Sequence, residues 1–175
     1  MAVRPIVEIP DPRLRTISTP VAEVTEATRA LIEDMFDSMY AARGIGLAAI
    51  QIGEPQRILV IDLQEEQDAE GKPIRAPRVF INPEILETSE DYSVYSEGCL
   101  SVPDQFADVE RPASCRARWL DETGAVHEAV MEGLLATCLQ HEMDHLEGII
   151  FVDHLSRLKR DMLLKKLAKA RKAAA

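Results

Sequence analysis

The sequence predicts an α+β fold, because its strand patterns follow one another in a single run instead of alternating with helices. One helical pattern precedes this run, and an apolar helical pattern and then a basic one follow it. We therefore expect several antiparallel or mixed strands packed around a central buried helix, with a further helix at the C-terminus. A length of 175 residues suffices for one domain with a substantial core.

The first predicted helix begins after Thr25 and continues to about Ala42. Threonine is a favoured N-cap residue, because its hydroxyl accepts a hydrogen bond from the first turn. One apolar face is formed by side chains that recur every four residues, namely Ala27, Leu31, Met35 and Met39. The glycine-rich residues 44–51 follow. They lack the spacing of a dinucleotide-binding loop and the lysine of a P-loop, which argues against phosphate binding.

The middle of the chain has the composition of β-strands. Residues 57–62 and 78–81 are apolar runs typical of buried strands. Residues 64–77 between them are charged and rich in turn-forming residues, so we expect a surface loop. Further strands are predicted at residues 94–95, 113–120 and 126–131.

The central helix carries the most informative motif of the chain, Gln-His-Glu-Met-Asp-His at residues 140–145. On a helix, His141 and His145 lie on one face, about 5–6 Å apart at Cβ. Two imidazoles placed in this way bind a single divalent ion, and Glu142 between them reaches its water molecule. The motif therefore predicts a hydrolytic metal site. The alternative is a solvated helix in which the two histidines are spaced by chance.

The residues around the motif favour a buried helix over a solvated one. Leu134, Thr137 and Cys138 share the face of His141, and further leucines continue the apolar surface. A buried imidazole without a partner is costly, whereas one that binds a metal is satisfied. We therefore expect an apolar pocket beside the metal.

A catalytic site of this kind needs a third protein ligand. In the metzincin pattern a third histidine follows, but Phe151 occupies that position and cannot bind a metal. Asp153 and His154 lie downstream, where we expect a new helix to start with Asp153 as its N-cap. Both are weak candidates.

The three cysteines offer other candidates for the third ligand. Cys138 and Cys115 fit ordinary core positions, because free cysteine is among the most buried residue types. Cys99 follows Gly98, whose lack of a side chain lets the backbone approach another group closely. From these residues alone, metal binding by Cys99 and simple packing remain equally open.

Three segments considered together resemble the bacterial peptide deformylases. That family has the motifs G-x-G-L-A-A-x-Q, E-G-C-L-S and Q-H-E-x-D-H. This chain has them in the same order at residues 44–51, 97–101 and 140–145, and the resemblance spans essentially the whole sequence. It implies a metal-dependent hydrolase that removes the formyl group from the N-terminal formylmethionine of new proteins, which releases formate.

The resemblance also implies a role for individual residues. Cys99, His141 and His145 would hold one divalent ion, with Fe²⁺ indicated by the family and Zn²⁺, Ni²⁺ or Co²⁺ also compatible with these ligands. Glu142 would transfer the proton. The catalytic set is completed by two donors to the oxyanion, the side-chain amide of Gln51 and the backbone N–H of Leu100. The substrate-binding residues would be Gly44, Ile45, Gly46, Gly98, Leu134, Thr137 and Cys138.

Two positions depart from the family pattern. Thr137 stands where family members often have a larger aliphatic residue, and Phe106 stands where some have arginine. The shape of the methionine pocket and the contacts beyond methionine are therefore expected to differ.

Charge is distributed unevenly along the chain. The net charge is −10, but residues 157–175 contain eight Lys or Arg and one acidic residue, so this tail carries +7 and residues 1–156 carry −17. An acidic body argues against general nucleic-acid binding. We expect a catalytic domain at 1–156 and a basic helical extension of the same domain at 157–175. Its predicted packing stripe consists of Leu155, Leu158, Met162 and Leu163.

The basic face of this tail is explained by simple solvation or, as the resemblance suggests, by docking on the ribosome. The sequence contains no apolar run of signal-peptide or membrane-spanning length. We therefore expect a cytoplasmic protein that does not associate with membranes. Three widely separated cysteines fit a reducing compartment.

Two other classes remain open. A metalloendopeptidase would use the same ion and Glu142, but it would need a downstream ligand that Phe151 does not supply. A non-catalytic metal-binding module is the second alternative. Glu142 argues against that module, because a structural site closes its fourth position and needs no base.

Overall fold

The structure, a computed structural model, describes residues 2–175. Three α-helices span Glu26–Ala41 (α1), Gly133–Leu146 (α2) and Arg157–Ala174 (α3). Seven strands span Gly46–Ala48 (β1), Ile58–Ile61 (β2), Arg78–Thr88 (β3), Tyr92–Cys99 (β4), Val102–Pro112 (β5), Ser114–Leu120 (β6) and Val126–Glu132 (β7). Short 3₁₀ helices occupy Pro12–Arg15, Ala49–Ile52 and Phe151–His154.

The strands form two antiparallel sheets, and this arrangement confirms the predicted α+β class. Five strands pair in the order β1-β2-β3-β6-β7, and β4 pairs with β5 in a separate hairpin. Strand β1 is an edge strand, because it pairs with β2 on one side only. Helix α2 packs against the five-stranded sheet and also contacts β5, so it lies between the two sheets.

Three apolar clusters hold these layers together. The sheet cluster joins α2 to the five-stranded sheet and includes Phe80, Ala117 and Leu139. The helix cluster packs α1 on β1 and β2 through residues such as Met35, Met39 and Val60. The hairpin cluster joins β5, the N-terminal segment, the last 3₁₀ helix and α3, and consists of Val7, Ile9, Leu14, Val102, Val109, Ile150, Phe151, Val152, Leu163 and Leu167.

Helix α1 follows the sequence prediction closely. The Thr25 hydroxyl accepts a hydrogen bond from Thr28 N, and the Thr28 hydroxyl accepts one from Thr25 N. This reciprocal cap satisfies two backbone donors at the start of the helix. Leu31, Met35 and Met39 are buried as predicted. Ala27 was wrongly included in their stripe, since it is exposed and Thr28 is the buried residue of the first turn.

The extent of the strands was underestimated. Strand β3 continues beyond Ile81 to Thr88, past the left-handed Asn82 and a shift in its register against β6. The hairpin β4–β5 covers twenty-one residues between Tyr92 and Pro112, of which only residues 94–95 and the short strand-like piece at residues 97–103 were predicted. Most of its side chains are exposed or half-buried. Its sequence therefore lacks the apolar runs that indicate buried strands.

The start and the packing face of α3 differ from the prediction. Ser156 caps the helix, whereas Asp153 belongs to the preceding 3₁₀ turn and accepts a hydrogen bond from Ile150 N. Leu163 packs as predicted, together with Leu167, but two members of the predicted stripe face solvent. Leu158 is 71% exposed and Met162 is 54% exposed. Leucines occur on several sides of this helix, so its sequence did not single out one face.

The tail is tied to the body through the hairpin cluster, to which Leu163 and Leu167 belong. The division into residues 1–156 and a helical extension stays a prediction. No helix within residues 2–175 is long and apolar enough to cross a membrane.

Candidate active site

Helix α2 buries the histidine motif between the two sheets. Its N-terminus follows β7 directly, with Gly133 in the left-handed region at φ 59. His141, Glu142 and His145 are all buried, and the ring centroids of the two histidines are 5.2 Å apart. The sequence spacing therefore produces one shared face, as predicted.

Cys99 reaches this face from the last position of β4. The tight connection between β4 and β5 pairs Cys99 with Val102 and turns the chain back beside α2. The Cys99 Sγ atom lies 3.3 Å from His145 Nε2. Ligand atoms of Cys99, His141 and His145 all lie within 4.8 Å of one another. The structure thus brings together the three predicted ligands.

This donor set fits a divalent transition-metal ion. Tetrahedral ligands at about 2.0–2.3 Å from an ion are separated by roughly 3.3–3.6 Å, and the 3.3 Å between Cys99 Sγ and His145 Nε2 falls in this range. One thiolate and two imidazoles suit Fe²⁺, Zn²⁺, Ni²⁺ and Co²⁺. Burial lowers the pKa of His145 well below its usual value, so its ring is in the neutral form that binds metals.

A buried charged network orients His141 from behind. Its Nδ1 atom lies 2.8 Å from Glu97 Oε1, which leaves Nε2 for the metal. Arg111 donates to both oxygens of Glu97, at 2.7 and 3.0 Å, and also to Asp144 at 2.9 Å. Burial alone would raise the pKa of Glu97, but the hydrogen bonds from His141 and Arg111 outweigh it and hold this pKa below its usual value. Sequence reasoning missed both Glu97 and Arg111.

Glu142 is buried beside the predicted ligands without a hydrogen-bond partner for its Oε2 atom among residues 2–175. Burial raises its pKa to about 7. A carboxylate in this state exchanges a proton readily near neutral pH. Gly46 lies against it closely, since a Cβ atom at Gly46 would stand 2.9 Å from Glu142 Oε1. This close approach explains why a glycine is needed at this point of β1.

The side chain of Gln51 is fixed next to Cys99. Its Oε1 atom accepts a hydrogen bond from Ala48 N at 2.9 Å. Its Nε2 atom donates to Ser101 Oγ at 3.0 Å and lies 3.5 Å from Cys99 Sγ. The amide N–H group therefore points toward the candidate metal site. Ser101, whose hydroxyl orients this amide, was not singled out from the sequence.

A cavity of about 760 Å³ opens onto this face of α2. It contains Cys99, His141 and Glu142, together with Leu100 of the β4–β5 connection. All residues predicted to bind substrate line it, namely Gly44, Ile45, Gly46, Gly98, Leu134, Thr137 and Cys138. The Phe106 ring also lines this cavity and packs directly over Gly98, where a Cβ atom would be only 2.4 Å from the ring.

The other ligand candidates have different partners. Phe151 stacks against the His141 ring, with centroids 6.1 Å apart. Asp153 pairs with Arg15, and His154 Nε2 lies 2.7 Å from Asp144. Cys115 belongs to the sheet cluster, where burial raises the pKa of its thiol. These contacts leave Cys99 as the third ligand best supported by geometry.

An antiparallel α+β fold with two histidines and a glutamate on one buried helix, and a thiol from a second segment, defines a metal-dependent hydrolase. The family model described as polypeptide deformylase matches residues 3–161. The chain therefore belongs to the peptide deformylase family, whose members remove the N-formyl group from nascent peptides.

Individual relatives agree with this assignment. The chain is 73% identical to a peptide deformylase from Rhizorhabdus wittichii, over 99% of this chain and 98% of that protein. It is 60% identical to a peptide deformylase from Novosphingobium aromaticivorans, over 99% of this chain and all of that protein.

Solved structures of deformylases have the same fold. The structure of a peptide deformylase from Legionella pneumophila matches with a TM-score of 0.88 and 45% identity, over 99% of this chain and 98% of that one. That of Ehrlichia chaffeensis peptide deformylase in complex with actinonin matches with a TM-score of 0.89 and 42% identity, over 97% of this chain and 98% of that one.

Proposed function

We propose that deformylation takes place at the face of α2, where Cys99, His141 and His145 hold one divalent ion and Glu142 transfers the proton. The observation that carries this proposal is the meeting of three metal-binding side chains with the buried Glu142, whose Oε2 atom accepts no hydrogen bond within residues 2–175, beside a cavity that Cys99, His141 and Glu142 line. A structural metal site needs no such base.

When bound, the ion would act as a Lewis acid that lowers the pKa of a water molecule and polarises the formyl carbonyl group. Glu142 accepts the proton of the attacking water and later delivers it to the departing amine. Its pKa, raised by burial to about 7, supports both transfers near neutral pH. Glu97 and Arg111 keep the His141 ring in one orientation during the reaction.

The developing oxyanion needs hydrogen-bond donors that are already in place. We assign this role to the side-chain amide of Gln51 and the backbone N–H of Leu100. Gln51 is 1% exposed and is held at both ends of its amide, by Ala48 and Ser101. A fixed donor of this kind costs no reorganisation in the transition state.

The substrate backbone is proposed to pair with the free edge of β1. An extended peptide that adds to an exposed sheet edge gains main-chain hydrogen bonds irrespective of its sequence. Gly44, Ile45 and Gly46 border the cavity along this edge. The methionine side chain would enter the part of the cavity lined by Leu134, Thr137 and Cys138.

We propose Fe²⁺ as the ion in the cell. Its oxidation by oxygen, or that of the Cys99 thiolate, would inactivate the enzyme, and replacement by Ni²⁺ would protect it. Metal analysis and activity assays on protein purified without oxygen test this assignment. Equal stability of the iron and nickel forms in air would contradict it.

We also propose that α3 docks on the ribosome. Its exposed face combines two apolar side chains, Leu158 and Met162, with several lysines that form no ion pair within residues 2–175. Contacts between lysine and phosphate weaken steeply with added salt. Co-sedimentation with ribosomes should therefore decrease as salt is added. It should also be weaker for the variant K165E/K166E/K169E, in which the charge of three lysines is reversed. If that variant sediments with ribosomes as well as the unmodified protein does, the basic face is only solvated and does not take part in docking.

A cytoplasmic location follows from these proposals. Nascent formylated chains are the substrate of the family, and a reducing compartment keeps the Cys99 thiolate available as a ligand. Fractionation of cells with an antibody to this chain tests the location. Recovery outside the cytoplasm would contradict it.

The role of Glu142 is tested with Glu142→Gln, which keeps the size of the side chain and removes its basicity. Metal content should stay the same while turnover falls by about 10²–10⁴-fold, the usual contribution of a positioned acid–base group. The matched control is Glu147→Gln, one turn further along and half-exposed, which should keep its activity. Full turnover by Glu142→Gln would exclude the assigned role.

A further inference from the structure

The cavity extends beyond the residues assigned above to the N-terminal segment of the chain. Ile6 and Glu8 line it, whereas Val7 and Ile9 belong to the hairpin cluster. In an extended segment, alternate side chains point to opposite sides. Glu8 therefore faces the cavity because its two neighbours are anchored in the core.

The backbone of this segment is fixed beside the proposed catalytic groups. Val7 N donates to the carbonyl oxygen of Gln51 at 2.7 Å, and Ile9 N donates to that of Ser101 at 3.0 Å. Glu8 lies between these two bonds. Its position is thus held relative to the oxyanion donors and the β4–β5 connection.

The carboxylate of Glu8 forms no ion pair with any side chain of residues 2–175. Its Oε2 atom is shielded from water and accepts no hydrogen bond within residues 2–175. Arg43 lines the same cavity but forms no ion pair with Glu8 among these residues. The other oxygen, Oε1, is not among the shielded atoms and has no hydrogen bond or ion pair to a residue in this range, so the half-buried carboxylate can accept a hydrogen bond from a ligand that enters the cavity.

We propose that Glu8 binds the cationic side chain of a Lys or Arg at the second or third position of the formylmethionyl substrate. This inference rests on the proposed function. The peptide backbone would be paired with β1, and the methionine side chain is apolar. A cationic group of the substrate that reaches Glu8 must therefore belong to the side chain of a residue that follows the methionine. A carboxylate forms its strongest hydrogen bonds with such groups.

The test compares substrates that have the same shape and differ in charge. Formyl-Met-Arg-Ala is paired with formyl-Met-citrulline-Ala, and formyl-Met-Ala-Arg with formyl-Met-Ala-citrulline. Formate release gives kcat/KM for each peptide. At one position or both, we expect arginine to be preferred about fivefold, the upper range of a partly exposed ion pair. The preference should shrink with added salt.

Variants assign the preference to one residue. Glu8→Gln should bring the arginine-to-citrulline ratio to about one, whereas Glu33→Gln, which removes the same charge from the exposed face of α1, should keep the ratio. Asp104 also lines the cavity, so Asp104→Asn is included. Thermal unfolding checks that each variant is folded.

Several outcomes would overturn the inference. The first is an arginine-to-citrulline ratio of kcat/KM near one at both positions in the unmodified enzyme. The second is an arginine preference that disappears in Asp104→Asn but persists in Glu8→Gln. Formyl-Met-Ala-Ala separates this failure from a wider one. If it yields formate while the charge preference is absent, only the role of Glu8 is wrong. If no peptide yields formate, the proposed function fails as well.

Discussion

Gly46→Ala tests whether β1 and α2 are as close as the structure indicates. The added Cβ atom would lie 2.9 Å from Cys138 Sγ and 2.9 Å from Glu142 Oε1. Both contacts are shorter than van der Waals separation, so either β1 or the two side chains must move. Overpacking of this kind costs about 1–3 kcal/mol. A shift of the base by about 1 Å lowers turnover by as much as roughly 10²-fold.

We expect Gly46→Ala to lower kcat/KM for a formyl-methionyl peptide by about 10–100-fold and to lower the melting temperature by a few degrees. Adding Cys138→Ala removes the sulfur contact but not the one to Glu142, so it should restore stability more than activity. The control is Gly71→Ala in the surface loop, where a Cβ atom meets nothing within 4 Å but φ is +79, so this variant should keep its activity and lose stability only through backbone strain. Unchanged activity and melting of Gly46→Ala would refute this packing.

Two other predictions concern the metal site and the fold. Cys99→Ala should lose metal while Cys115→Ala retains it. Metal analysis after dialysis measures this difference. If both variants retain metal equally, the third ligand is a residue other than Cys99. Gly148→Ala should lower the free energy of unfolding by roughly 2–4 kcal/mol, because Gly148 has φ +72 and its Cβ atom would lie 2.6 Å from the backbone oxygen of Arg15. A urea midpoint equal to that of the unmodified protein would show that the backbone adjusts at no cost.

The part of the site that depends on local geometry was predictable from the sequence. His141 and His145 are four residues apart on a helix, so their common face follows from helix geometry alone. The third ligand was not derivable in this way. Cys99 reaches the histidines only through the β4–β5 connection, and residues alone left it equally open to packing. Its assignment came from the resemblance of three motifs.

The orienting network behind His141 was missed for a related reason. Glu97 and Arg111 pair with each other across the hairpin β4–β5, and Arg111 also bonds to Asp144 of α2. Most of that hairpin was not recognised from the sequence, because its residues lack the apolar runs of buried strands. A buried ion pair between two strands that were largely not predicted produces no local pattern in the sequence, so neither residue could be identified from it.

The packing face of α3 shows the limit of periodicity. Leu158 and Met162 have helical spacing and were assigned to the packed face, but the body of the protein receives Leu163 and Leu167 instead. A basic helix with apolar residues on several sides has more than one candidate face. In the folded chain, α3 packs against the N-terminal segment and the last 3₁₀ helix. These contacts determine which of its faces is buried, and the sequence of the helix alone does not contain them.

The most direct test of the central claim measures metal content and products on the same sample, purified without oxygen. We predict one divalent ion for each chain, stoichiometric release of formate and a free methionine amine from a formyl-methionyl peptide, and no cleavage of blocked internal peptides. Cleavage of an internal peptide bond would instead identify an endopeptidase. Formate release that persists in Cys99→Ala protein devoid of metal would contradict a metal site built from Cys99, His141 and His145.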